Sequence, residues 1–321
     1  MRAVYAQSQS QEDPLSGLVV GELDRPEAGP GFRRVRVRAS ALNRHDLWSL
    51  QGVGLPSENL PMVLGCDAAG IDDDGNAVIV HSVISSPGWE GDETLDPRRT
   101  LLSERYPGTM ADEVWVPTRN LVPKPAQLSF EEAACLPTAW LTAYRMIFTV
   151  SPAAPGSTVL VQGAGGGVAT ALVSLASAAG FRVWVTGRSP EKLEQARRLG
   201  ADEVFDAGAR LPERVDTVFD SVGEATWAHS LKALKPGGAL VTCGATSGPN
   251  PPADLNRVFF LQLKVLGSTM GTKPELQRLV QFLLATGVRP EIDAVLPLED
   301  AAQGFRRMHD GAAAGKIVFR H

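Results

Sequence analysis

The chain is 321 residues long, 44% hydrophobic, and carries a formal net charge of -5. That length accommodates two domains with separate cores, and the apolar fraction excludes wholesale disorder. The acidic balance and the lack of a basic tract argue against nucleic acid as a partner, and no apolar run approaches the roughly 20 residues that span a membrane.

In chain order, the first ten residues lack the apolar stretch of a secretory leader. The three cysteines, Cys66, Cys135 and Cys243, are scattered through apolar surroundings. Together these features predict a cytoplasmic protein whose thiols serve as small buried hydrophobes. Residues 33–39 alternate, with Val35, Val37 and Ala39 on one face and Arg34, Arg36 and Arg38 on the other, the pattern of a half-buried strand. Pro30 and Gly31 mark the turn before it. Further strands are expected over 77–83 and 113–116, the first preceded by a hairpin turn at 72–76. That acidic turn lacks the spacing and closing glutamate of a calcium loop, so no metal is expected there. Residues 85–109 are polar and rich in Pro and Gly and read as a long surface loop. Ser129 and Glu132 make a capping box that starts a helix near Phe130. Pro137 interrupts it, and a second helical segment is expected over 138–148.

Residues 159–169, VLVQGAGGGVA, organise the rest of the chain. A buried strand over 158–162 enters a turn containing Gly163, Gly165, Gly166 and Gly167, and a helix follows with Val168, Leu172, Leu175, Ala176 and Ala179 at helical spacing. Amides at a helix start lack intrahelical partners and attract an anion, and glycines let the backbone approach a pyrophosphate. The spacing that fits is Gly163, Gly166 and Ala169, a small residue closing the turn.

A second strand over 182–186 ends in Gly187, Arg188 and Ser189, with Lys192 one turn on. An NAD site expects a carboxylate there for the ribose 2′-hydroxyl. A guanidinium, a hydroxyl and an ammonium suit a 2′-phosphate instead, so NADP(H) is preferred over NAD(H). Further strands are expected over 203–205, 217–220, 239–243 and 264–267, with helices over 190–199 and 226–234. Six short strands alternating with helices predict an α/β fold with a doubly wound parallel sheet. Ligands of such sheets bind beyond the carboxyl ends of the strands. Those ends add Ser221, then Gly244, Ala245 and Thr246, then Ser268, Thr269 and Met270 as cofactor candidates. An amphipathic helix over 275–286 with Leu276, Leu279, Leu283 and Leu284 inward, a helix over 297–308 and a last strand over 316–319 complete the chain.

The stretches 41–48 (ALNRHDLW), 64–70 (LGCDAAG), the turn at 163–169, 199–202 (LGAD), 220–223 (DSVG) and 315–318 (GKIV) together resemble the medium-chain dehydrogenase/reductase superfamily, in its zinc-free quinone oxidoreductase-like branch. The resemblance covers nearly the whole chain. It implies a GroES-like catalytic domain over 1–124, a Rossmann NADP-binding domain over 125–270 and a return to the catalytic domain over 271–321, with a cleft between them. It also implies hydride transfer from NADPH and a homodimer joined through the last Rossmann strand, near 260–266. Zinc-dependent relatives place a Cys ligand where this chain has Asn43, and His and Glu ligands where it has Cys66 and Asp67. One Cys and one Asp are too few for a site of about three protein ligands and a water. No metal is therefore expected.

By the same resemblance, Asn43 and Asp46 are the candidate catalytic residues, positioning cofactor or substrate, with a turn held by Asx hydrogen bonds as the other reading. Arg44, Trp48, Thr138, Thr142 and Lys316 are candidate cofactor contacts, Lys316 at the pyrophosphate. His45 reads as a surface or packing histidine, and Cys66 as core. The expected activity is NADPH-dependent reduction of a small-molecule quinone or α,β-unsaturated carbonyl. Two further readings stay open: a zinc-free reductase of one specialised metabolite, and a nucleotide-binding protein without turnover.

Overall fold

The computed structural model describes residues 1–25 and 29–321. The chain divides into two compact units. The first comprises Met1–Ala139, Met270–Leu284 and Ile292–His321, and the second Trp140–Thr269 and Ala285–Glu291.

The first unit is built on a sheet whose strands run, in order, Leu121–Pro123, Ala77–Val80, Asp67–Asp72, Phe32–Ala41, Lys316–Arg320 and Ile292–Pro297. Glu113–Pro117 also pairs with Phe32–Ala41. Val35, Val37 and Ala39 are buried while Arg36 and Arg38 are exposed, as the alternation requires. The expected strand over 77–83 stops at Val80. The His81 amide instead donates to Asn120 O, and the Ser82 hydroxyl donates to Cys66 O. The segment 85–109 is a surface loop only in part: Pro87, Gly88, Glu90, Gly91, Leu95 and Pro97 to Arg99 are exposed, whereas Thr94, Asp96, Leu102, Ser103 and Thr109 are buried. Aspartates satisfy its turns, with Asp96 Oδ2 accepting from both the amide and the hydroxyl of Ser86. On the helix Lys273–Thr286, Leu276, Leu279 and Leu283 are buried as expected, but Val280 is buried and Leu284 only half-buried.

The second unit is a six-stranded parallel sheet ordered Glu203–Asp206, Arg182–Gly187, Thr158–Gln162, Val215–Asp220, Leu234–Thr242 and Lys264–Gly267. The order reverses between Thr158–Gln162 and Val215–Asp220, the place where doubly wound sheets open a ligand crevice. Thr158–Gln162 is buried at all five positions, consistent with helices on both faces. The strand Leu234–Thr242 starts earlier than expected because Pro236, Gly237 and Gly238 lie within it, at a register shift in its pairing with Val215–Asp220. Pro137 does not break the helical run that links the two units. A wide π-helical turn, Leu136–Trp140, absorbs it between Phe130–Ala134 and Leu141–Arg145. The fold is therefore α/β, a GroES-like β unit and a Rossmann unit. No helix among the described residues is long and apolar enough to cross a membrane.

Candidate functional site

In the second unit, Thr158–Gln162 delivers the chain to Gly163, whose φ of 86° requires glycine, and whose amide donates to Thr186 O at 3.0 Å. The helix Gly167–Ala178 follows, with Gly166 as a cap that offers no side chain to the first amides. A Cβ at Gly166 would meet nothing within 4 Å, so the space before this helix is open. Gly165 is different: a Cβ there would fall 2.3 Å from Lys192 Cδ, so the Lys192 stem lies across the turn. Gly187 lets the next helix close in, since its Cβ would lie 2.9 Å from Leu193 and 3.0 Å from Ala164. Gly163, Gly165, Gly166, Gly167 and Val168 thus form one cradle, with Gly187 and Lys192 against it.

Arg188 is exposed at the end of its strand. Ser189 differs from expectation. Its hydroxyl is committed to the protein, accepting from the Lys192 amide at 3.3 Å and donating to Glu191 Oε2 at 2.6 Å, because it caps the helix Pro190–Arg198. Ser221, Gly244, Ala245, Thr246, Ser268 and Thr269 all follow strand ends of this unit and are half-buried or exposed. Met270 belongs to the first unit, and Thr138 and Thr142 fall in the first and second units respectively.

Beneath these ends runs a polar network that composition alone does not show. Asp220 Oδ1 accepts the amides of Val222 (2.7 Å) and Gly223 (3.0 Å), and Oδ2 accepts the hydroxyls of Thr226 (2.7 Å) and Ser230 (2.8 Å). Gln162 Nε2 donates to Ser230 Oγ at 3.0 Å and faces His229 Nδ1 at 2.8 Å. His229 Nε2 lies 2.9 Å from Ala209 O, which only accepts, so the proton sits on Nε2 and Nδ1 accepts from Gln162. Asp220 therefore shapes the loop after its strand.

The first unit gathers the other predicted residues. Asp46 does not face a ligand. It is fully buried, and its oxygens accept the amides of Asn43 (2.8 Å) and Gly65 (3.0 Å). It tethers the start of the helix Arg44–Leu50 to the strand turn at Gly65. Burial pushes its carboxyl up to about 6, against the pull of His45 and the Asn43 amide. Asn43 Nδ2 donates to Asp67 Oδ2 at 2.8 Å, and its Oδ1 accepts from Lys316 Nζ at 2.7 Å. Lys316 differs most from expectation. It is 2% exposed, and its three N–H bonds go to Leu42 O, Asn43 Oδ1 and Asp67 Oδ2. An ammonium has three donors, so none remains for a pyrophosphate. Arg44 is exposed and Trp48 half-buried on the same short helix.

His45 is neither surface nor plain packing. Its Nδ1 lies 3.4 Å from Cys66 Sγ and its Nε2 lies 3.2 Å from Glu104 Oε1. Cys66 is fully buried and also donates to Leu102 O at 3.2 Å. Burial pushes the Cys66 thiol up, opposed by His45. Burial alone opposes charge on His45; the adjoining sulfur and Glu104 outweigh it and raise the imidazole. Sequence reasoning missed Glu104, which sits 59 positions from His45 with no local signal. Cys135 is buried as well, whereas Cys243 is partly exposed.

Residues 29–126 match the alcohol dehydrogenase GroES-like domain, and 167–285 match the zinc-binding dehydrogenase family. A solved NAD-dependent alcohol dehydrogenase is 36% identical with a TM-score of 0.93, each chain covered over 100%. The chain belongs to the medium-chain dehydrogenase/reductase superfamily. It is an oxidoreductase of that superfamily. It is also similar to a crotonyl-CoA reductase of Streptomyces collinus, 28% identical over 95% of this chain and 82% of the relative. A 2-octenoyl-CoA carboxylase reductase solved with NADP and 2-octenoyl-CoA is 26% identical, with a TM-score of 0.89 over 99% of this chain and 87% of that one.

The superfamily includes zinc enzymes, and the positions their ligands take do not fit an ion here. Lys316 Nζ holds Asn43 Oδ1 and Asp67 Oδ2, the oxygens an ion at those positions would need. A divalent cation there would stand beside an ammonium and be repelled by it, with Asp67 Oδ1 the one oxygen of the pair that Lys316 and Asn43 leave open among the described residues.

Proposed function

We propose that this medium-chain dehydrogenase/reductase is an NADP(H)-dependent, zinc-independent reductase of α,β-unsaturated carbonyls, with quinones as electrophiles of the same class. The observation that carries the reading is the helix start at Gly167, which no side chain caps, with the exposed Arg188 at the end of the neighbouring strand. Unpartnered amides and the helix dipole suit a pyrophosphate, and a planar guanidinium suits a 2′-phosphate. The bound dinucleotide would supply hydride. This chain's own residues hold it: Gly163, Gly165 and Gly166 admit the phosphates, Asp220 fixes the loop at Ser221, and Arg188 grips the ribose phosphate. A conjugated carbonyl accepts hydride at its β-carbon and can take its proton from water, so it needs no Lewis acid. The likeness to crotonyl-CoA and 2-octenoyl-CoA reductases supports this substrate class.

The test is binding of NADPH and NADH followed by nucleotide fluorescence, then turnover with a small enone and a quinone. Arg188→Ala is expected to weaken NADPH by about 1–3 kcal/mol and leave NADH nearly unchanged. Equal losses for both nucleotides would overturn the phosphate assignment. A second reading, NAD-linked alcohol oxidation, draws on the likeness to the NAD-dependent alcohol dehydrogenase and on Glu191 beside Ser189. A higher kcat/KM for NAD with an alcohol than for NADPH with an enone would select it. We further propose a homodimer through the edge strand Lys264–Gly267, with Phe259 and Phe260, 59% and 75% exposed, on the helix Leu255–Phe260 that precedes it. Size-exclusion chromatography with light scattering tests it.

A further inference from the structure

The strand Thr158–Gln162 is filled by Val159, Leu160 and Val161, yet its last position, buried as deeply, is a glutamine. An apolar side chain would fill that place without needing partners, whereas a buried amide needs partners for its N–H and C=O groups. Gln162 has them, and each leads to a loop at the carboxyl edge of the sheet. It is also the residue before Gly163, on the strand beside which the strand order reverses.

The proton arrangement around Gln162 is fixed from one end. Ala209 O can only accept, so His229 Nε2 donates to it and Nδ1 is left to accept. That turns the amide nitrogen of Gln162 towards His229 Nδ1 (2.8 Å) and Ser230 Oγ (3.0 Å), and the Ser230 hydroxyl spends its proton on Asp220 Oδ2 (2.8 Å). The amide oxygen then faces Thr186, whose hydroxyl donates to it. Three arms leave one side chain. The Thr186 arm ends beside Gly187 and Arg188, and Gly187 O in turn accepts the Ala207 amide at 2.9 Å. The His229 arm ends on Ala209, in the loop after Glu203–Asp206. The Ser230 arm ends on Asp220, which holds the amides of Val222 and Gly223 just past Ser221. Such a network adds little net stability, but with one proton arrangement it specifies one placement of the loops it joins.

We propose that Gln162 is a positioning residue for the coenzyme: it fixes the loops at 187–189, 207–209 and 221–223 relative to one another and so sets the affinity for the adenosine half of NADP(H). This role rests on the reading that Arg188 takes the 2′-phosphate. Gln162 itself touches no part of the nucleotide, because its amide group is engaged within the unit. The arms carry different parts of the task. Thr186 governs where Arg188 stands, so it bears on the 2′-phosphate. Ser230 acts through Asp220 on the loop at Ser221, so it bears on a nucleotide with or without that phosphate.

The full chain is titrated calorimetrically with adenosine 2′,5′-bisphosphate and with 5′-AMP, which share the adenosine and differ in the 2′-phosphate. Gln162→Met keeps the side-chain volume, removes the polar atoms, and should weaken the bisphosphate by about tenfold. Thr186→Val should weaken the bisphosphate by about fivefold and leave 5′-AMP nearly unchanged, while Ser230→Ala should weaken both by the same factor. A network that only supports the fold would move both ligands alike in every variant. Circular dichroism checks folding; should Gln162→Met not fold, Thr186→Val and Ser230→Ala each remove a single side chain's hydrogen bonds and carry the test. A folded Gln162→Met that binds the bisphosphate as the wild type does overturns the proposal. So does, where the wild type prefers the bisphosphate, a Thr186→Val that weakens the two ligands equally. A wild type that binds both ligands alike, unaltered by Arg188→Ala, defeats the 2′-phosphate reading instead. Gln162→Met must then still weaken 5′-AMP through the loop at Ser221, and wild-type affinity for it overturns the role of Gln162.

Discussion

Asp67 and Asp220 are both fully buried carboxylates at the edges of the candidate sites, and they are stabilised in opposite ways. Asp220 accepts four hydrogen bonds from neutral donors no more than ten positions away. Asp67 is held through one oxygen by the ammonium of Lys316, 249 positions distant, and by Asn43, while its Oδ1 has no hydrogen-bond partner among the described residues. A ring of neutral donors tolerates loss of the charge, because hydroxyls can turn to accept. An ammonium cannot, so each member of the Asp67 pair depends on the other. The difference separates a carboxylate that shapes a loop from one that stitches the last strand to the first unit.

The largest expected effect tests that dependence. Lys316→Met leaves Asp67 buried without its cation and should cost about 3–5 kcal/mol in urea unfolding. Adding Asp67→Asn to it should recover a substantial part of the loss, and simple additivity of the two substitutions would break the contrast. A third group, the half-buried His321, sharpens it from the other side, because no carboxylate among the described residues forms an ion pair with it and Asp112 acts on it only weakly. Its Nε2 meets the Ser40 hydroxyl at 2.9 Å, and burial, assisted by Arg2 and opposed by Asp112, pushes the imidazole down to about 4. Between that value and the ordinary 6.5 the unfolded chain holds a proton that the folded chain does not. Stability is therefore full above about pH 6.5 and falls as pH drops towards 4, by about 2 kcal/mol from this group. His321→Gln should flatten that part of a stability–pH curve measured by chemical denaturation; an unchanged slope would show that the imidazole is protonated in the fold. The smallest effect belongs to Asp220→Asn. The amide keeps an acceptor for Val222 and Gly223, and the hydroxyls of Thr226 and Ser230 turn to accept, so the loss should be about 1 kcal/mol. A loss as large as that of Lys316→Met would erase the distinction.

The parts legible in the sequence share one property, that their cause is local. The alternation of Val35, Val37 and Ala39 against arginines, the capping box at Ser129 and Glu132, and the glycine turn before Gly167 each act within a few positions, and each appears where expected. The same holds for the six strands of the Rossmann unit, whose order follows from short parallel crossovers. The expectations that changed involve partners far along the chain. Asp46 became a tether for Gly65, Lys316 a buried cation beside Asn43, and Ser189 a helix cap whose hydroxyl is spent on Glu191. Segment 85–109 looked solvated by composition, and its first half is largely exposed, yet part of it packs inward because its aspartates and Glu104 satisfy the backbone that would otherwise need water.

The amino-acid order by itself determined the strand–glycine–helix cradle, the placement of Arg188 and the superfamily, because periodicity, turn chemistry and helix capping are read from neighbouring residues. Only the tertiary structure decided that Lys316 fills the place between Asn43 and Asp67, and that His45 stands between Cys66 and Glu104. Those groups converge from segments up to 273 positions apart. Hydrogen bonding and burial at such separations depend on how the sheet of the first unit pairs Lys316–Arg320 with Phe32–Ala41, which no local pattern encodes.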